Sequence, residues 1–219
     1  MRKLLLLTTL CLTLTGCGGN TVTFDVEFKT DDAAKRTILE TKSEKVIERV
    51  TYNLEQSIPD ISTKANGSGL RMVVKLQEEE SINILAESLE RPLDLFFALE
   101  ADEDQEADIE NEQFGRFVRT ELTGEGIEWV TSGEGEDGKG QIVMELNEDG
   151  KAIWKNLIDE NLGKKIGIFV RGGLVSLYYV DENEMKDSIV IDKIPSVELA
   201  NVFADDVNVS IYVSFKAVR

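Results

Sequence analysis

Histidine is absent from the 219 residues, cysteine occurs twice and proline three times. Without histidine the commonest general base and metal ligand at neutral pH is missing. Cys11 and Cys17 both lie near the amino terminus, so the body of the chain has no disulfide and no thiol nucleophile. Ser176, Ser188 and Ser210 fall in expected strands or turns, and none stands in a nucleophile elbow. An enzyme is therefore not expected, and no cofactor is called for. Positive charge is scarce as well: 24 Lys and Arg against 42 Asp and Glu leave a net charge of −18. Such a chain repels nucleic acid and anionic headgroups, which excludes nucleic acid as a partner.

What is present starts with location. Arg2 and Lys3, the apolar run LLLLTTLCLTL and then LTGC ending at Cys17 follow the order of a bacterial lipoprotein signal. The run is shorter than the roughly 20 residues needed to span a bilayer, and no later run reaches that length. Cleavage after residue 16 would leave Cys17 as a lipidated terminus, durably anchored by several acyl chains. The membrane, through that lipid, is the first expected partner, and the cell envelope outside the cytoplasm is the expected location. With 42% hydrophobic residues the remainder has the composition of a folded chain with a core.

Strict alternation in TVTFDVEFK puts Val22, Phe24, Val26 and Phe28 on one face of a strand. Helical spacing follows in KSEKVIERVTYNLEQS, closed off by Pro59, and ISTKA and LRMVVKL then flank a turn at Gly67 and Gly69. A second helix carries Ile82, Leu85, Ala86 and Leu89 on one face, with Ser81 as its expected cap, and LDLFFALE is a fourth strand. The order strand, helix, strand, strand, helix, strand matches a ferredoxin-like βαββαβ unit, with LDLFFALE as its closing strand.

Beyond ADEDQEADIENEQ, an acidic stretch expected as an exposed linker, come strands in ELTGEGIEWV and GQIVMEL and a helix in EDGKAIWKNLIDEN capped by Asn147. Trp154 belongs to that helix's buried side, and Trp129 is also expected in the core. KIGIFVRGGLVSLYYV is a hairpin turned at Gly172 and Gly173, preceded by Gly163 as a helix C-cap. A short strand ends at Ile191, SVELANVFADD is a last helix and NVSIYVSFKAV the closing strand. The spaced glycines of GEGEDG, residues 133–138, lead into a strand and carry three carboxylates, so they make a hairpin tip and not a phosphate loop. Asp102, Asp104, Glu106, Asp108 and Glu110 have the alternate spacing of a calcium loop, but Ala107 replaces its glycine and Gln113 its closing glutamate. No metal site is expected there. Asp205 and Asp206 are taken as solvated acids.

Leu122 to Gly124, then ELNEDGKAIWKNLIDENLGKKIGIFVRGGLVS, then VELANVF resemble the first extracytoplasmic domain of SecD, the accessory membrane subunit of bacterial protein export. The first half resembles it too, from KVIERVTYNLEQS to LDLFFALE, so the likeness runs from about residue 22 to 219. It implies an α+β chain: a ferredoxin-like base, with an α/β head subdomain inserted before its last strand. The expected boundaries are a signal at 1–16, a tether at 17–21, a base at 22–100, an acidic linker at 101–119, a head at 120–194 and a returning helix and strand at 195–219. It also implies contact with emerging polypeptide and a head that moves relative to the base. SecD's membrane helices and proton-coupling acids have no counterpart here, and its usual Ala-Pro after the second hairpin strand is replaced by Leu177 and Tyr178. Leu177, Tyr178 and Tyr179 are the candidate polypeptide contacts, while Gly163, Gly172 and Gly173 are structural. The expectation is a non-catalytic lipoprotein binding unfolded or translocating polypeptide beside the export machinery. The alternative is an envelope lipoprotein that uses the fold for an unrelated partner.

Overall fold

The computed structural model describes residues 20–136, 138–181 and 188–218; Cys17 and residues 1–16 lie outside them. The alternating stretch is β1 (Asn20–Phe28), with Val22, Phe24 and Val26 buried. Asp32 accepts hydrogen bonds from the amides of Ala34 and Lys35 and so starts α1 (Ala33–Glu55). β2 (Asp60–Asn66) and β3 (Gly69–Leu76) form the expected hairpin around Gly67, whose φ is +61°. Gly69 is required by packing, since a Cβ there would meet the Val26 carbonyl oxygen at 2.1 Å. α2 (Glu79–Glu90) follows.

Ser81 does not cap α2. It is buried inside the first turn, and the entry to the helix is held by Glu55 at the end of α1, which accepts the Gln77 and Glu78 amides at 3.0 Å each. Partial burial pushes the Glu55 carboxyl up, but those two amides and the Ser81 and Ser57 hydroxyls hold it below the usual glutamate range.

LDLFFALE is where expectation and structure part. It forms β4 (Leu95–Glu100) at the centre of a second sheet and does not pair with β1 or β3. The next elements are β5 (Ile109–Asn111), β6 (Gly115–Thr123), β7 (Ile127–Glu134), β8 (Gly140–Leu146), α3 (Glu148–Glu160), β9 (Lys165–Val170), β10 (Gly173–Tyr179) and β11 (Ser188–Ile194). The chain ends with α4 (Val197–Tyr212) and β12 (Val213–Val218). It is β12 that closes the first sheet, in the order β12-β1-β3-β2, antiparallel to β1 with Val26 opposite Phe215. The ferredoxin-like order is thus completed from the far end of the chain. β4 has both faces buried, Leu95 to Ala98 without a break, which suits a central strand between β9 and β6.

The described residues hold four α-helices and three antiparallel sheets, ordered β12-β1-β3-β2, β10-β9-β4-β6-β5 and β11-β8-β7. Two large cores result. One lies between α1, α2 and the first sheet, around Phe24, Leu39, Ile47, Met72 and Leu85. The other gathers Phe97, Leu122, Ile142, Met144, Trp154 and Ile168 between the second and third sheets and their helices. Trp154 is 3% exposed, whereas Trp129 is half-buried against Tyr212 and under Lys35.

α4 is longer than expected. NVSIY, rich in β-branched residues and expected as strand, continues the helix because its side chains serve both cores. Ala200, Ala204 and Val207 enter the larger core and Val209 the other. Between them Asn208 clasps β7: its Oδ1 accepts the Val130 amide at 2.9 Å and its Nδ2 donates to the Val130 carbonyl at 2.7 Å, all buried. Asp205 is not solvated either. At 7% exposure it faces α1, with Lys42 at 2.8 Å and Arg49 at 3.8 Å, while Asp206 pairs with Arg49.

Asn208→Ala leaves a buried amide and carbonyl of Val130 unpaired, and urea unfolding is expected to show a loss of about 2–5 kcal/mol. Glu55→Gln tests the other contact. Because the folded Glu55 carboxyl is more acidic than in the unfolded chain, its contribution is full above the unfolded value and is lost as pH falls through the folded one. The stability gap between wild type and Glu55→Gln is therefore expected at neutral pH and should close in acid.

Candidate functional site: the β9–β10 hairpin and the groove beside it

The hairpin's two turn residues are Arg171 and Gly172, with φ of 51° and 78°, the conformation that a two-residue connection demands. Gly173 opens β10, and Gly163 has φ +82° beyond the C-cap residue Asn161, with its amide bonded to the Val180 carbonyl at 2.9 Å. The hairpin is anchored to the preceding link by the Arg171 amide, which donates to the Asp94 carbonyl at 2.8 Å.

Leu177, Tyr178 and Tyr179 are consecutive on β10, the edge strand of the five-stranded sheet, and so point alternately to its two faces. Tyr178 packs edge-on against Trp154 of α3, with ring centroids 5.0 Å apart. Leu177 lies on the other face with Leu174, against a small cluster of Phe96, Ala98, Phe117 and Phe169. Phe96 and Phe169 stack at 5.2 Å, and Phe117 meets Phe169 edge-on at 5.5 Å. Gly167 makes room for this cluster, because a Cβ there would come within 2.6 Å of the Phe169 ring. Tyr179 is 63% exposed and Val175 40%, so the strand presents apolar surface to solvent. Beside Tyr179, Glu100 bonds Lys165 Nζ at 2.9 Å and holds that ammonium above the usual lysine range.

The acidic stretch is not a free linker. It includes β5, the opposite edge of the same sheet, and its loop is organised by cations of the chain itself. Arg116 donates to the carbonyls of Glu103 at 3.2 Å and Gln105 at 2.6 Å, Lys164 pairs with Asp102 at 2.9 Å, and Asp108 accepts the Arg119 amide at 2.8 Å. Arg116 thus occupies backbone carbonyls of the stretch, and no described group of His, Cys, Asp or Glu has the arrangement of a metal site.

A groove of about 460 Å³ opens beside the larger core. Its apolar floor includes Leu93, Phe96 and Ile211, and its rim Lys29, Asp94 and Arg119. Arg119 is stacked on the Phe96 ring at 3.6 Å. Sequence inspection missed this groove, and no local signal could have found it, because its lining comes from the end of β1, the α2–β4 link, β6 and α4. No helix of the described residues is long and apolar enough to cross a membrane.

Among solved structures, a crystal structure of SecDF in its super-membrane-facing form has a TM-score of 0.50 and 16% identity, covering 92% of this chain and 30% of that one. A structure of SecDF described as a membrane component that enhances protein export has a TM-score of 0.49 and 16% identity, over 91% of this chain and 98% of that one. SecDF from Thermus thermophilus, described as translocon-associated, has a TM-score of 0.46 and 15% identity, over 91% and 30%. The chain therefore spans 30% of the length of two of these chains. No protein-family model and no curated protein sequence matches it. At this identity the likeness is one of fold, and the fold is SecD-like.

With Arg116 bonded to the carbonyls of Glu103 and Gln105, millimolar calcium is expected to leave the melting temperature unchanged, and Arg116→Ala to speed hydrogen exchange at Gln105 and Asp108. A rise of several degrees with calcium would overturn that account of the loop.

Proposed function

We propose that the chain is a non-catalytic, membrane-anchored module that binds exported or unfolded polypeptide outside the cytoplasm, in association with protein export. The observation that carries this is β10: an edge strand with exposed Val175 and Tyr179, in a fold shared with SecDF. Exposed apolar side chains on an edge are disfavoured unless something binds there, since edges of that kind aggregate. The strong negative charge adds a long-range preference for cationic segments and keeps the body off an anionic membrane.

LTGC supports the anchor, because β1 begins at Asn20, close behind Cys17.

Cys17→Ser is expected to move the protein from the membrane fraction to the aqueous one; retention in the membrane would remove the lipid anchor from the proposal. Photocrosslinking in cells from position 179 and from position 104 is expected to trap many secretory precursors from the first and few from the second. One abundant envelope-assembly adduct in place of precursors would replace polypeptide binding with a structural role for an unrelated partner.

A further inference from the structure

Among the described residues six strands lie at sheet edges: β2 and β12, β10 and β5, β11 and β7. Five of them carry charge, at Asp60 and Lys64, Lys216, Glu110, Asp192 and Lys193, and Glu128 and Glu134 respectively. β10, GLVSLYY, has none. Charge on an edge is the usual guard against pairing with another chain, and in a molecule with 30% charged residues its omission from a single edge is informative.

The ladder shows which backbone groups that edge offers. Val180 donates inward to the Lys164 carbonyl at 3.0 Å, in continuation of the pairing of Tyr178 with Ile166. Alternation along an antiparallel strand then turns the N–H and C=O of Tyr179 and Leu177 outward. No described strand pairs with that side. The irregularity between Leu174 and Ser176 lies toward the turn and leaves residues 177–179 regular.

We infer that β10 takes up a partner polypeptide by strand addition, with the outward groups of Leu177 and Tyr179 as its hydrogen-bonding edge. This rests on the polypeptide-binding function proposed above and names its site and ligand chemistry. The occupant is an extended segment of another protein with apolar residues at alternate positions, which meet Leu177 and Tyr179 on one face, and with Lys or Arg flanking it. Charge decides between occupants: a second copy would bring together two bodies of net charge −18, whereas a cationic segment is attracted.

The probe is a fluorescein-labelled decapeptide of alternating valine and threonine flanked by lysines, titrated into the mature chain. Tyr179→Pro removes an outward N–H at an exposed edge position, where proline is tolerated, and Tyr179→Ala removes the ring but keeps the N–H. Tyr179→Pro is expected to weaken binding about tenfold relative to Tyr179→Ala. Hydrogen exchange on wild type, which needs no variant, is expected to show the peptide protecting the amides of Leu177 and Tyr179 and leaving β2 unchanged. A glutamate-flanked peptide should bind about tenfold less tightly at low salt, with the gap closing as salt rises. Equal binding by the proline and alanine variants without protection at 177 and 179 would overturn strand addition while leaving polypeptide binding in place. A concentration-dependent dimer of wild type that Tyr179→Pro abolishes would overturn the heterologous partner in favour of a second copy. Failure of the function itself is read separately, by precursors missing from the crosslinks at position 179.

Discussion

The amide of Asn208 holds the amide and carbonyl of Val130 inside the molecule, and much else depends on that clasp. β7 offers a buried peptide unit that its own sheet leaves open, and α4 closes it with a side chain instead of another strand. The helix is then fixed in rotation. Ala204 and Val207 must face the larger core, Val209 the first core, and Asp205 the cations of α1. One helix therefore belongs to both units, and its position determines where β12 begins.

From that start β12 runs beside β1 and supplies the missing edge of the first sheet. β4 is thereby released to be the centre of the inserted sheet, with β9 on one side and β6 on the other. Placing β4 there pushes β10 to the rim. The edge position of β10 is thus a consequence of how the base is closed, and the groove by Leu93 lies beside the larger core. At the opposite rim the acidic loop is consolidated by Arg116 and Lys164, so the two edges differ in kind: one is ordered by charge pairs, the other is apolar and open.

The ionic contacts have an uneven weight. Most pairs are surface pairs of small net effect, for example Lys75 with Asp60. Asp205 is different because it is nearly out of water and has Lys42 and Arg49 beside it, so loss of either cation would leave a poorly solvated carboxylate. Together with Lys35, which reaches Glu128 and covers Trp129 and Tyr212, these contacts line the seam between α1 and the inserted unit.

Local chemistry was legible in the residues. The alternation of Val22, Phe24 and Val26, the Asn147 cap and the buried stripe through Trp154 each depend on neighbours a few positions away, and the structure places them accordingly. The α+β class and the SecD-like fold followed from their order together with the quoted resemblance. Long-range pairing was not legible in the residue pattern itself. LDLFFALE has the apolar content of a closing strand for the first sheet and of a central strand in another, and only the arrival of β12 from the end of the chain excludes the first choice. NVSIY has strand propensity, yet the clasp on Val130 outweighs it and keeps the segment helical. Asp205 looks like any other acid in a chain with 42 of them until α1 is packed against it. Leu177, Tyr178 and Tyr179 were visible as an apolar run, but whether their outer edge was covered depended on which strands lay on each side. The sequence by itself determined most of the local elements, the net charge and the lack of histidine, because these are properties of short segments or of composition. The tertiary structure decided between LDLFFALE and the returning strand as the closing strand of the base, and it alone decided which edge stays open, because backbone hydrogen bonds carry no record of a partner until the chain has brought two distant segments together.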